Sequence, residues 1–236
     1  MRLDKYISLA LSVSRKDAKS LIISKKIEVV KDGIPLQRVN VDYDITDEVV
    51  YYLDEVIKYQ EYIYIMMNKP SGVLSANSDK YHTCALDLIC DYKNRKLGLI
   101  GRLDIDTEGL LIITDDGELI HKLTSPKGMH PKKYYLETDK PFDNKDIELF
   151  KNGVEINVDD KPYITKSAIL EIISDNKAYL TITEGKFHQV KLMASSVGKN
   201  VTYLKRVAIN GLAIDESLKP GEYRLLDEKE VEVLKK

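Results

Sequence analysis

The chain has 236 residues, 43% of them apolar and 31% charged, the balance of an ordinary globular protein with room for one or two domains. No apolar run approaches the ~20 residues a membrane-spanning helix needs, and the first residues lack an apolar signal segment. We therefore expect a cytoplasmic protein with no membrane partner. The net charge of −2 hides an uneven distribution: residues 1–31 carry eight basic against three acidic residues, residues 32–60 seven acidic against two basic. Further basic zones at 121–133 and 186–206 give three candidate phosphate-facing patches. Cys84 and Cys90 are expected as free thiols, and no His/Cys spacing fits structural zinc, so no metal is expected.

Leu3, Ile7, Ala10 and Leu11 recur at helical spacing. Ser14 then opens a second helix through a capping pattern with Asp17, burying Ala18, Leu21 and Ile22 and exposing Arg15, Lys16 and Lys19. Residues 27–30 read as a strand and Asp32-Gly33 as its tight turn. The polar segment 54–60 reads as a linker, dividing the chain into domains 1–58 and 59–236. An alternating strand over 61–67 opens the second domain and Lys69-Pro70-Ser71-Gly72 turns it. A strand near 134–137, a helix over about 144–151, a hairpin turning at 174–176, a strand at 179–183 and a helical stretch ending at Val197 follow. On that last helix Val190, Met193, Ala194 and Val197 share a face. The tail from Asp227 reads as a short charged amphipathic helix. Many strands with few intervening helices predict an α+β fold around a mixed, largely antiparallel sheet flanked by helices.

Residues 101–117, GRLDIDTEGLLIITDDG, are the most informative segment. Leu110 to Ile113 is apolar throughout and fits a covered strand, with Asp104 and Asp106 before it and Asp115 and Asp116 after it. Carboxylates beside a buried strand cap, turn or do chemistry. Asp115-Asp116-Gly117 precedes helical spacing at Leu119, Ile120 and Leu123 and reads as a helix cap. Asp104 has no helix to cap, which favours a chemical role.

This segment resembles the signature of pseudouridine synthases, specifically the RsuA-type branch that modifies ribosomal RNA. Four other segments agree in type and order: Asn68-Lys69-Pro70-Ser71-Gly72, Lys132-Lys133-Tyr134, Gly185-Lys186-Phe187-His188-Gln189-Val190-Lys191, and residues 2–50, which resemble an S-four-type RNA-binding domain. The resemblance implies a small N-terminal α/β RNA-binding domain followed by a pseudouridine synthase domain, without cofactor. It implies Asp104 as nucleophile, Lys191 as the cation that keeps it charged, and Tyr134 as the residue that stacks on the target base. Arg102, Lys132 and Lys186 would contact RNA near the site, and Lys69 would support the active-site loop or contact the RNA backbone; Arg2, Arg15, Lys16, Lys19 and Lys25 would contact RNA from the N-terminal domain. Leu192 stands where this branch is expected to carry a second basic residue.

The expected partner is small-subunit (16S) ribosomal RNA or its assembly intermediate, acted on by a monomer. A large-subunit (23S) target stays open, as does a non-catalytic RNA-binding assembly factor. A glycoside hydrolase using Asp104 with Asp115 is a further alternative, disfavoured by the absence of tryptophan.

Overall fold

The computed structural model describes residues 1–92, 94–125 and 128–236; Lys93, Pro126 and Lys127 are not described. The part of the basic zone 121–133 that falls on Pro126 and Lys127 therefore lies outside the described residues. The chain divides into two compact units, Met1–Ile63 with Ile89–Lys96, and Tyr64–Leu88 with Leu97–Lys236.

In the first unit, helices α1 (Leu3–Ala10) and α2 (Arg15–Ile23) precede strands β1 (Ile27–Lys31), β2 (Ile34–Pro35), β3 (Val49–Tyr52) and β4 (Glu55–Ile57). The strands form one sheet in the order β2-β1-β3-β4. The Ser14 side chain accepts from Asp17 N as the cap of α2, while Leu3, Ile7, Ala18, Val29, Ile45 and Val50 close the core. The polar segment expected as a linker contains β4. Tyr52 pairs with Glu55 across Leu53 and Asp54, both at positive φ, so a two-residue turn reverses the chain inside that segment. Polar composition here marks an edge strand, and the first unit runs on to Ile63.

The second unit is built on a nine-stranded sheet from β5 (Tyr64–Lys69), β6 (Gly98–Ile100), β7 (Glu108–Thr114), β8 (Lys132–Thr138), β11 (Ile169–Ser174), β12 (Lys177–Ile182), β13 (Val201–Ile209), β14 (Leu212–Ala213) and β15 (Tyr223–Leu225). Strands β9 (Glu155–Val158) and β10 (Lys161–Ile164) form a separate hairpin. The main path runs β11-β12-β8-β13-β7-β5-β15, and of its pairings only β13 with β7 is parallel. Helices α3 (Gly117–Thr124), α4 (Asn144–Asn152), α5 (Gln189–Ser196) and α6 (Glu228–Lys235) complete the unit. The fold is α+β with a mixed, largely antiparallel sheet.

Strand β5 does not alternate: every residue from Tyr64 to Lys69 is buried, because the strand lies between β7 and β15 and is covered on both faces. Asp116 caps α3 by accepting from Leu119 N, as its sequence position suggested. Two apolar clusters hold the unit. One, around Leu136, Phe150, Leu180 and Met193, seats α4 and α5; the other, around Met66, Leu110, Ile112, Leu119 and Leu234, seats α3 and α6.

Where β13 meets β7 in parallel, Arg206 lies opposite Gly109. Gly109 sits at φ +101°, and a β-carbon there would stand 2.3 Å from the Arg206 carbonyl oxygen. The junction needs glycine.

Candidate active site

The segment between Gly101 and β7 is a loop with an anchored backbone. Leu103 N donates to Ser75 Oγ at 3.0 Å, and the same hydroxyl donates to Leu103 O at 2.9 Å. Gly72 N and Lys69 Nζ both donate to Ile105 O, at 2.7 and 3.3 Å. Asp104, between these fixed points, is presented with its side chain 23% exposed.

Helix α5 delivers the cation. Its entry is built by Glu184 and Gln189, both buried: Gln189 Nε2 donates to Glu184 Oε1, and Lys186 N donates to Gln189 Oε1. His188 takes a left-handed conformation at the start of the helix. Lys191, on the first turn, then reaches Asp104 Oδ2 at 3.1 Å and Asp106 Oδ1 at 2.6 Å. Burial works against the Lys191 ammonium, but its bonds to Asp106 and Asp104 outweigh burial and raise its pKa. The same bond holds the Asp106 carboxyl below its ordinary range.

A cavity of about 380 Å³ opens beside this pair, with Arg102, Asp104, Lys132, Tyr134, His188 and Arg206 in its wall. Tyr134, on β8, is buried among Leu103, Val190 and Leu204. Lys132 donates to His130 O at 3.1 Å, and burial, reinforced by the Arg206 charge, pulls its pKa down to about 8. Arg102 is exposed at the rim.

The structure thus brings together Asp104, Lys191, Tyr134, Lys132 and Arg102. Lys186 is exposed, with its ammonium 4.5 Å from the Tyr163 ring centre. Of the two roles expected of Lys69, its geometry suits support of the loop and not contact with RNA. It is fully buried, and its ammonium donates to the carbonyls of Pro70 and Ile105, so it supports the Asp104 loop and presents nothing to an RNA phosphate. Leu192 packs against the core beside Met193, which accounts for an apolar residue at that position.

In the first unit, Lys16, Lys19 and Lys25 are exposed. Arg15 and Arg2 are held by the fully buried Asp4, at 2.7 and 3.3 Å. Burial alone would raise the Asp4 carboxyl, but its bonds from Arg15 and Arg2 lower it.

Sequence reasoning passed over four contributors: Ser75, Asp106, His188 and Arg206. His188 Nε2 stands 3.7 Å from Asp104 Oδ1. Its place in the Lys186–Lys191 motif was the available signal. Ser75 gave none, since a hydroxyl that meets a backbone 28 positions away has no local pattern.

Asp104 and Asp115 lie at opposite ends of β7, roughly 20 Å apart at the rise of an extended strand. Paired carboxylates of a glycoside hydrolase stand within ~10 Å, so that alternative fails on distance.

The mixed sheet and the carboxylate–lysine–tyrosine cavity define an enzyme class, and comparison with known proteins agrees with it. Residues 63–196 match the RNA pseudouridylate synthase family, and the chain belongs to that family. The ribosomal small subunit pseudouridine synthase A of Vibrio cholerae is 39% identical, and that of Escherichia coli K12 37%, each covering 98% of both chains. These near-full-length matches make the chain an RsuA-type synthase. Bacillus subtilis YtzG, named as an uncharacterized RNA pseudouridine synthase, is 44% identical over 99% of this chain and 98% of its own. A crystal structure of a pseudouridylate synthase superposes with a TM-score of 0.68 at 34% identity, covering 99% of both chains.

Proposed function

We propose that the protein isomerises one uridine of 16S ribosomal RNA to pseudouridine, with Asp104 as nucleophile and no cofactor. The observation that carries this reading is the 3.1 Å approach of Lys191 to Asp104, which shares the cavity wall with Tyr134. A nucleophilic carboxylate must stay ionised in a partly desolvated pocket, and an adjacent cation is what keeps it so.

The uridine leaves its stack to enter the cavity, at a cost of a few kcal/mol, and Tyr134 stacks on the extruded base. Arg102, at the rim, grips a flanking phosphate or fills the vacated space. The first unit is the RNA-binding domain: Lys16, Lys19 and Lys25 meet phosphates, with Arg2 and Arg15 oriented by Asp4. Such contacts position the enzyme and carry little sequence information. The small-subunit target is supported by the likeness to relatives named for that subunit, over nearly their whole length. The enzyme works as a cytoplasmic monomer on the RNA or on an assembling particle.

The test uses ribosomal RNA or immature small subunits from cells lacking the protein. Purified enzyme should create one new pseudouridine, mapped by carbodiimide-dependent primer extension, and Asp104→Asn should abolish it while RNA binding survives. Full activity of Asp104→Asn would refute the nucleophile, and a new site in large-subunit RNA would refute the target.

A further inference from the structure

Among the described residues Arg206 is the largest fully buried side chain, and the proposed reaction leaves it without a role. It reaches the cavity wall from β13. Its Nε donates to Leu110 O at 2.8 Å, its Nη1 lies near Gly101, and the Tyr134 hydroxyl sits against the guanidinium. Its Nη2 is buried with no hydrogen-bond partner, and among the described residues no carboxylate pairs with it. A buried cation with an unmet donor and no counter-ion is costly to keep.

Its neighbours do not relieve that cost. Lys132, in the same wall, adds a second cation. Glu184 partly offsets Lys132, and its oxygens are engaged by Tyr163, Lys166 N and Gln189 rather than by Arg206. Asp104 is matched by Lys191. The cavity wall therefore holds positive charge that the protein itself does not neutralise.

The reaction supplies the missing charge. If Asp104 attacks the anomeric carbon, a bond forms from its carboxylate oxygen to that carbon. The bond to N1 breaks, and its electron pair stays on the uracil ring. If Asp104 instead attacks C6 of the ring, the displaced electron pair moves onto the ring carbonyl as an enolate. On either route the ring becomes anionic before C5 bonds to the anomeric carbon; on the C6 route the N1 bond to the sugar breaks in that transfer. The bond to Asp104 then breaks with its electron pair returning to the carboxylate, C5 gives up its proton and N1 gains one. We propose that Arg206, assisted by Lys132, is the electrostatic group that stabilises this anionic uracil. The inference rests on the pseudouridine synthase reading of the cavity. Preorganised charge aimed at charge that develops only in the transition state raises kcat more than it tightens substrate binding.

The experiment compares Arg206→Met and Arg206→Lys with wild type on the same ribosomal RNA, reading kcat, KM and thermal unfolding. Arg206→Met is expected to lower kcat roughly 100-fold or more with KM little changed, the size of effect seen when one preorganised donor is lost. Arg206→Lys should recover a substantial part of kcat, although it forfeits the same bond to Leu110. Unfolding of Arg206→Met should stay close to wild type, because an unpaired buried charge has been removed. A near-wild-type kcat for Arg206→Met would overturn the proposal. So would equal losses in both variants that track a fall in unfolding temperature, since that pattern marks a packing role. Asp104→Asn runs alongside: if it is inactive while Arg206→Met keeps full kcat, only the Arg206 inference fails. If Asp104→Asn keeps full activity, the parent reading fails instead.

Discussion

Lys69 shows how burial decides between two readings that residue type leaves open. A lysine beside proline and glycine could support a loop or meet RNA; because β5 is enclosed on both faces, its last residue goes inside with the rest. Burial pulls the Lys69 pKa from its ordinary 10.5 to about 8. Between these values the unfolded chain binds more protons than the folded one, so stability rises with pH across that window. Below pH 8 the penalty is present in full and constant. We expect the stability difference between wild type and Lys69→Met to shift in favour of wild type from pH 8 to 10.5, and to be flat from 6 to 7.5. Urea denaturation at a series of pH values measures it; a flat difference throughout would mean the ammonium is not desolvated. Asp104, Tyr134 and Lys191 were legible because each sits in a short motif with its own composition. The division of Lys191 between Asp104 and Asp106 was not, since it depends on how a helix meets a loop 85 positions earlier.

At the level of elements, caps and helix faces were readable because their physics is local. Ser14, Asp116 and the apolar face of α5 all stand where three- and four-residue spacings put them. Edge strands were less readable. Strand β4 is short and polar, and only its pairing with β3 makes it a strand. Strand β6 is likewise defined by the half of the β7 edge that β13 leaves free. That shared edge makes a contrasting pair of glycines. Gly109→Ala places a methyl 2.3 Å from a backbone carbonyl at positive φ and should cost about 3 kcal/mol or more. Gly98→Ala meets the Ile120 side-chain tip at 2.8 Å, which can turn away, and should cost about 1 kcal/mol. Equal unfolding midpoints for the two variants would contradict the parallel junction described here.

For the whole molecule, net charge conceals the basic face of α2, on which the proposed contact with RNA rests. The structure also refines which of its cations can be altered safely. Arg15 and Arg2 neutralise Asp4, so reversing either would strand a buried carboxylate and confuse folding with binding. Lys16 and Lys19 carry no such duty and are exposed. We expect Lys16→Glu with Lys19→Glu to leave thermal unfolding unchanged, weaken RNA binding, and reduce the slope of log K against log salt by roughly 0.7 to 0.9 per lost phosphate contact. Binding measured from 50 to 300 mM salt decides it, and an unchanged slope would remove these two lysines from the interface.

The parallel seam between β7 and β13 also sets an order of events in the life of each molecule. Gly109 emerges during synthesis well before Arg206, its partner across the seam. At typical elongation rates of 5–20 residues per second, the loop bearing Asp104 waits roughly 5 to 20 s for the strand that completes its support. Lys191 arrives only shortly before. A nascent chain thus already carries the whole sequence of its first unit while Lys191 and β13 are still to be made. On the proposed reading, the surface that meets RNA is made before the centre that reacts with it.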